Sequence, residues 1–168
     1  MNSAVLLNLL RFVLLLFCQI VIFKNINLFG YLNPYPYILF ILLYPVNANR
    51  AAFLLASFSL GLILDLFSNS GGIHATACLV LAYIRPTLFK FAFGLSYEYQ
   101  TIKINDRLSP ERFTFILTAI FIHHFLMFML VYFKFIFILD AFLETLFTTI
   151  FTLAISVLII YLFKPSKR

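Results

Sequence analysis

The sequence predicts an all-α fold, a polytopic integral membrane protein built as a six-helix transmembrane bundle. Hydrophobic residues fill 64% of the 168 positions and charged residues only 11%, whereas a soluble domain carries roughly 25% charge. Mean hydropathy is +1.05. The apolar residues also gather into six runs, most of them close to the ~20 residues that a helix needs to cross a ~30 Å hydrocarbon core. One transmembrane domain over residues 1–168 is expected, with its apolar surface shared with lipid.

The first run, about Ala4–Phe23, has no small-residue cleavage site closing a short apolar stretch, so it reads as a retained span. The second, Tyr31–Val46, is short and contains Pro34, Pro36 and Pro45. Pro36 suits a first helical turn and Pro45 interrupts the ladder near the far end, so the run reads as a thin span, with a re-entrant piece as the alternative. The third and fourth, Ala51–Phe67 and Ile73–Phe93, are joined by a tight turn holding Gly71 and Gly72. The fifth, Phe113–Phe133, is entered through Ser109-Pro110-Glu111, an N-cap serine, a proline at the first helical position and an acid in the first turn. The sixth is Ile136–Phe163. Between the fourth and fifth lies the largest loop, where Tyr97–Ile104 is too polar to span and reads as a solvated, amphipathic connector.

Lys and Arg set the orientation. With six spans and a cytoplasmic N-terminus, the inner side receives Arg50, Arg85, Lys90, Lys103, Arg107, Arg112, Lys164, Lys167 and Arg168, and the outer side only Lys24 and Lys134. That asymmetry follows the positive-inside rule and puts both termini in the cytoplasm. It also accounts for the net charge of +6 without invoking nucleic acid.

Depth then decides which polar residues can meet. Insertion scales charge roughly 2.5–3.5 kcal/mol for an aspartate at a span centre. Asp65 lies about fourteen residues into the third span, roughly 20 Å from its cytoplasmic start, and so toward the outer interface. Arg11, near the inner face, should snorkel to the cytoplasm and is too far away to pair with Asp65. Hydrogen bonds to Asp65 are expected from His74, from Ser68 or Asn69, or from the amides of the glycine turn.

Spacing adds faces. Ser57, Gly61 and Asp65 recur every four residues along the third helix, and Ala75, Cys78, Ala82 and Arg85 form a similar stripe on the fourth. Small residues on facing stripes let two backbones approach closely, so a tight antiparallel hairpin is expected. The sixth span carries Asp140, Glu144, Thr148, Thr152 and Ser156, a row that winds around the helix and lines a cavity or an interface. Of these, Glu144 stands out, since intramembrane threonines often bond their own backbone.

Chemistry-bearing motifs are few. His123 and His124 are adjacent on a helix and point about 100° apart, so they cannot share a metal; one is expected to face the bundle. Cys18 and Cys78 lack metal or redox spacing and read as small apolar residues. No zinc-protease, nucleophile-elbow or phosphate-loop signature occurs. A noncatalytic protein is expected, with no cofactor and no metal. The candidate structural or partner-contacting residues are Pro34, Ser57, Gly61, Asp65, Gly71, Gly72, His74, Arg85 and Glu144.

The succession Asn33-Pro34, Pro45-Val46-Asn47-Ala48, Gly61-Leu62-Ile63-Leu64-Asp65-Leu66-Phe67, Gly72-Ile73-His74-Ala75 and Ala82-Tyr83-Ile84-Arg85 resembles the MreD family of bacterial rod shape-determining membrane proteins. The resemblance covers about Pro34 to Arg85; elsewhere only hydropathy agrees. It implies a scaffold of the cell-elongation machinery in the inner membrane. The implied partner is an MreC-like bitopic protein, and through it MreB, RodA and a penicillin-binding transpeptidase that build lateral peptidoglycan. MreD-like proteins also look similar in architecture to the substrate-binding subunits of energy-coupling-factor vitamin transporters. A small-molecule-binding or transport subunit is therefore the rival expectation, with Tyr31, Asn33, Asn69, Lys134 and Glu144 as its outward-facing selectors.

Overall fold

The computed structural model describes residues 3–94 and 109–162. Six α-helices follow one another: α1 (Ser3–Val21), α2 (Ile38–Leu43), α3 (Arg50–Ser68), α4 (Ile73–Phe93), α5 (Pro110–Tyr132) and α6 (Ile138–Leu162). All but α2 are long and apolar enough to cross a membrane. The protein is an all-α, six-helix bundle of the polytopic membrane class. The Tyr97–Ile104 connector lies outside the described residues.

Local sequence sets the helix ends. The Asn49 side chain accepts from the Ala52 amide at 3.1 Å and starts α3. Asn69, in the left-handed region at φ 53°, ends it. The Ser109 hydroxyl accepts from the Arg112 amide at 3.4 Å, with Pro110 at the first helical position, as the sequence predicts for α5. Pro86 sits inside α4, where its missing N–H leaves the Ala82 carbonyl without its usual donor.

Helices α3 to α6 pack in chain order, each antiparallel to the next. At one end of this row Phe89 of α4 stacks on Phe115 of α5, with centroids 4.3 Å apart. Helix α1 is peripheral, touching α2 and α3, and its outer face of Leu6, Val13 and Phe17 is exposed to the surrounding solvent, here lipid.

The second apolar run departs from expectation. It is not a thin helical span: only Ile38–Leu43 is helical, about 9 Å of rise. Pro34 and Pro36 lack N–H groups and push the residues before them toward extended backbone, so the lead-in to α2 cannot coil. The run nevertheless passes through the middle of the bundle. Its start is bonded to Gln19 and its Tyr37 to His74, while its end is bonded to Arg85 and Arg11. His74 and Arg85 are separated by roughly 16 Å along α4. Residues 37–42 are the most deeply buried stretch among the described residues, at 0–3% exposure. Irregular backbone is tolerated at membrane depth when protein encloses it, and here protein does.

Candidate functional site

Asp65 is the clasp of the α3–α4 hairpin. Gly72 is the N-cap of α4, at φ 96°, so the first turn of α4 has orphan amides and no capping side chain of its own. Asp65 supplies the cap from the preceding helix. One carboxylate oxygen accepts from the His74 amide at 2.9 Å and from the Ser70 hydroxyl, and the other accepts from the Ala75 amide at 2.8 Å. A carboxylate at a helix N-terminus also meets the positive end of the helix dipole. Asp65 is thus 5% exposed yet held by three donors.

One helical turn earlier, Gly61 makes the clasp geometrically possible. A Cβ there would lie 2.4 Å from the His74 carbonyl oxygen and 2.5 Å from the Ala75 Cα. The backbone of α4 therefore rests directly on Gly61. Ser57, one more turn along, is fully buried and returns its hydroxyl to the Phe53 carbonyl at 2.8 Å. The facing stripe of Ala75, Cys78, Ala82 and Arg85 is buried as the spacing predicts. Gly71 and Gly72 both occupy positive φ, at 64° and 96°, which the reversal between the helices requires. Of the donors expected for Asp65, His74 takes part through its amide rather than its ring, and Ser70 replaces Ser68 and Asn69.

The two ends of the central segment are held by side chains from three helices. Gln19 of α1 donates through Nε2 to the Pro34 carbonyl at 3.2 Å, and the Thr152 hydroxyl of α6 accepts from the Tyr35 amide at 3.0 Å. At the other end Arg85 of α4 donates to the Leu42 carbonyl at 3.1 Å and to that of Tyr44. Its guanidinium lies between the rings of Phe53 and Phe89, at 5.0 and 4.9 Å from their centroids. Arg11 of α1 adds a longer bond to the Leu43 carbonyl at 3.4 Å. Two cations thus serve the C-terminal carbonyls of a six-residue helix, where the dipole is negative. Arg11 is half-buried and reaches this carbonyl from the neighbouring helix. It stands well away from Asp65, as depth predicts.

Tyr37 joins three elements at the core. Its hydroxyl lies 2.9 Å from Nδ1 of His74 and 2.8 Å from Nε2 of His123. Because one hydroxyl carries one proton, Tyr37 donates to one imidazole and accepts from the other. His124 is as buried as His123 and lies 3.3 Å from the Thr149 hydroxyl through Nδ1. The expectation that one histidine faces the bundle is corrected: both do, since α5 is flanked by α4 and the central segment on one side and by α6 on the other. Among the described residues no group of three His, Cys, Asp or Glu comes together as a metal centre would need. Cys18 and Cys78 are both free thiols.

Beside this network lies a cavity of about 210 Å³, bounded by α1, the central segment and the α3–α4 turn. Gln19, Lys24, Tyr35 and His74 give it polar walls; Ile20 and Leu64 give it apolar ones. Lys24 donates to the Phe67 carbonyl at the C-terminal end of α3. Glu144 stands elsewhere, half-buried on α6, facing the Tyr132 hydroxyl and within electrostatic reach of Tyr35. Its row is buried at Thr148, Thr152 and Ser156, against protein, while Asp140 is exposed.

The structure therefore gathers Ser57, Gly61, Asp65, Gly71, Gly72 and His74 into one clasp, places Pro34 and Arg85 at opposite ends of the central segment, and leaves Glu144 apart. Sequence reasoning missed Tyr37 and Gln19. Tyr37 looked like one aromatic among many, and its only signal was its place between Pro36 and the apolar run. Gln19 is an amide inside an otherwise apolar span, a signal available but not used. Comparison with known proteins matched no family model, no curated protein and no solved structure.

Proposed function

We propose that this chain is a noncatalytic scaffold of the bacterial cell-elongation machinery, of the MreD type. In this reading it lies in the inner membrane with both termini cytoplasmic and binds an MreC-like bitopic partner. Through that partner it supports lateral peptidoglycan synthesis with MreB, RodA and a penicillin-binding transpeptidase. One observation carries the reading. Gly61, Asp65, Gly72 and His74, which underlie the resemblance, converge on a single close helix contact. A scaffold depends on such rigid packing, and its residues need hold no substrate.

The test is a pull-down of the tagged protein from native membranes. A co-purifying bitopic protein with a large extracytoplasmic domain is expected. Its absence, with an ATPase module recovered instead, would replace the scaffold with the second reading. That second reading is a transport subunit built like the substrate-binding components of energy-coupling-factor transporters, and the cavity beside Tyr35 and His74 favours it.

A further inference from the structure

Arg11 and Arg85 converge on three successive carbonyls at the end of the central segment, and no acid joins them. Arg85 is 4% exposed, and a guanidinium keeps its charge even when enclosed. Buried charges are ordinarily paired. Among the described residues neither guanidinium meets a carboxylate. Asp65, Asp140 and Glu144 lie toward the opposite membrane face, and Glu111 is exposed in the first turn of α5. The end of α2 offers at most about half a negative charge against two positive ones. A positive excess is left over.

Donors are left over as well. Nη2 of Arg85 carries both of its bonds, to the Leu42 and Tyr44 carbonyls. Its Nη1 makes no hydrogen bond and, unlike the enclosed Nε, is open at the surface. Half-buried Arg11 spends only Nη1, on one long bond to Leu43, of the five N–H groups that an arginine has.

Helix α3 fixes where lipid headgroups lie. Its 19 residues rise roughly 28 Å, the thickness of a hydrocarbon core. Arg50 and the exposed Asn47 and Asn49 before it therefore mark one membrane interface. The Arg50 guanidinium lies 5.3 Å over the ring of Tyr83, so α4 reaches this interface at Tyr83 and runs on for roughly 15 Å. Helix α1 overshoots similarly, because Arg11, level with Leu43, stands roughly 12 Å from the start of α1. This face of the bundle is thus recessed, with residues 44–50 as its floor. Arg11 and Arg85 stand at that floor, at headgroup depth. Leu7 and Leu14, one turn to either side of Arg11 on one flank, are half-exposed to lipid.

We propose that this recess binds the phosphate of an anionic phospholipid, accepted from the unused donors of Arg11 and from Nη1 of Arg85. Its acyl chain lies along Leu14. Guanidinium and phosphate match in charge and geometry, and basic pockets between membrane helices hold such headgroups. A zwitterionic lipid fits worse, since its choline adds a cation beside two guanidiniums. The site does not rest on the scaffold reading: failure to recover an MreC-like partner would remove that reading and leave this one standing.

The experiment uses the full-length protein, delipidated in detergent, with native mass spectrometry of bound phosphatidylglycerol against phosphatidylcholine. Wild type should retain phosphatidylglycerol preferentially. Arg11→Leu should reduce that retention roughly tenfold, while Lys134→Met, at the opposite membrane face, leaves it unchanged. Arg11 makes a single long bond, so its variant reads the site even if Arg85→Met fails to fold. Inorganic phosphate tests the soluble source: a rise in melting temperature matching that from phosphatidylglycerol, and lost in Arg11→Leu, would assign the site to a soluble anion and overturn the lipid. Equal retention of the two lipids, or equal losses in Arg11→Leu and Lys134→Met, would overturn the site itself.

Discussion

At Asp65 and Gly61 the cost of single atoms can be followed into the stability of a helix pair. Asp65→Ala leaves the amides of His74 and Ala75 and the Ser70 hydroxyl without their acceptor. We expect a loss on the order of 2 kcal/mol, within the range of lost caps and orphaned buried donors. Asp65→Asn keeps one acceptor oxygen and should recover part of it. Gly61→Ala acts differently, since its methyl would sit inside the contact distance of α4 backbone, which cannot give way as a side chain end would. It should cost about 1–3 kcal/mol, as overpacked cores do. Melting curves of the purified variants check both, and an unshifted midpoint for Gly61→Ala would mean that the close approach is absent. Four-residue spacing made this stripe legible from the sequence. Spacing could not say which donors meet Asp65, because that depends on how the turn lays α4 across α3.

The central segment sets the behaviour of whole elements. Helix α2 is too short to hold itself and is fastened by Arg85 at one end and Gln19 and Thr152 at the other. Arg85→Met removes donors from the Leu42 and Tyr44 carbonyls and should cost about 3 kcal/mol. Hydrogen exchange should locate the damage, with protection lost first in the amides of α2; uniform loss over all helices would contradict the assignment. Tyr37→Phe takes away the hydroxyl between His74 and His123 and should destabilise by about 1–3 kcal/mol. Replacing His74 and His123 by apolar residues in the same variant should restore part of that, because no imidazole is then left unsatisfied. The prolines announced that this run was unusual. They could not reveal that it would be irregular yet central, since burial on all sides is a property of five other helices.

For the molecule as a whole, the path of that segment decides the topology. A run that crosses puts the Asn27 loop, the Ser70 turn and Lys134 on one side of the membrane, and Asn47 and Ser109 on the other. Single cysteines at these positions, in a background with Cys18 and Cys78 replaced by Ala, should divide accordingly when labelled with an impermeant maleimide. Labelling of positions 27 and 47 from the same side would make the segment re-entrant and reverse α1 relative to α3.

Hydropathy and periodicity, which report local burial, were enough to determine the membrane class, five long helices within a few residues of their ends, and the small-residue hairpin. These are properties of one helix or of neighbours in sequence. The tertiary structure alone decided that the second run coils for only six residues, that Arg11 bonds the Leu43 carbonyl, that both histidines of α5 are buried, and that Gln19 is buried with its amide on the Pro34 carbonyl. Each depends on a partner far along the chain, and a hydrogen bond is satisfied by whichever group folding brings within reach, which no local pattern encodes.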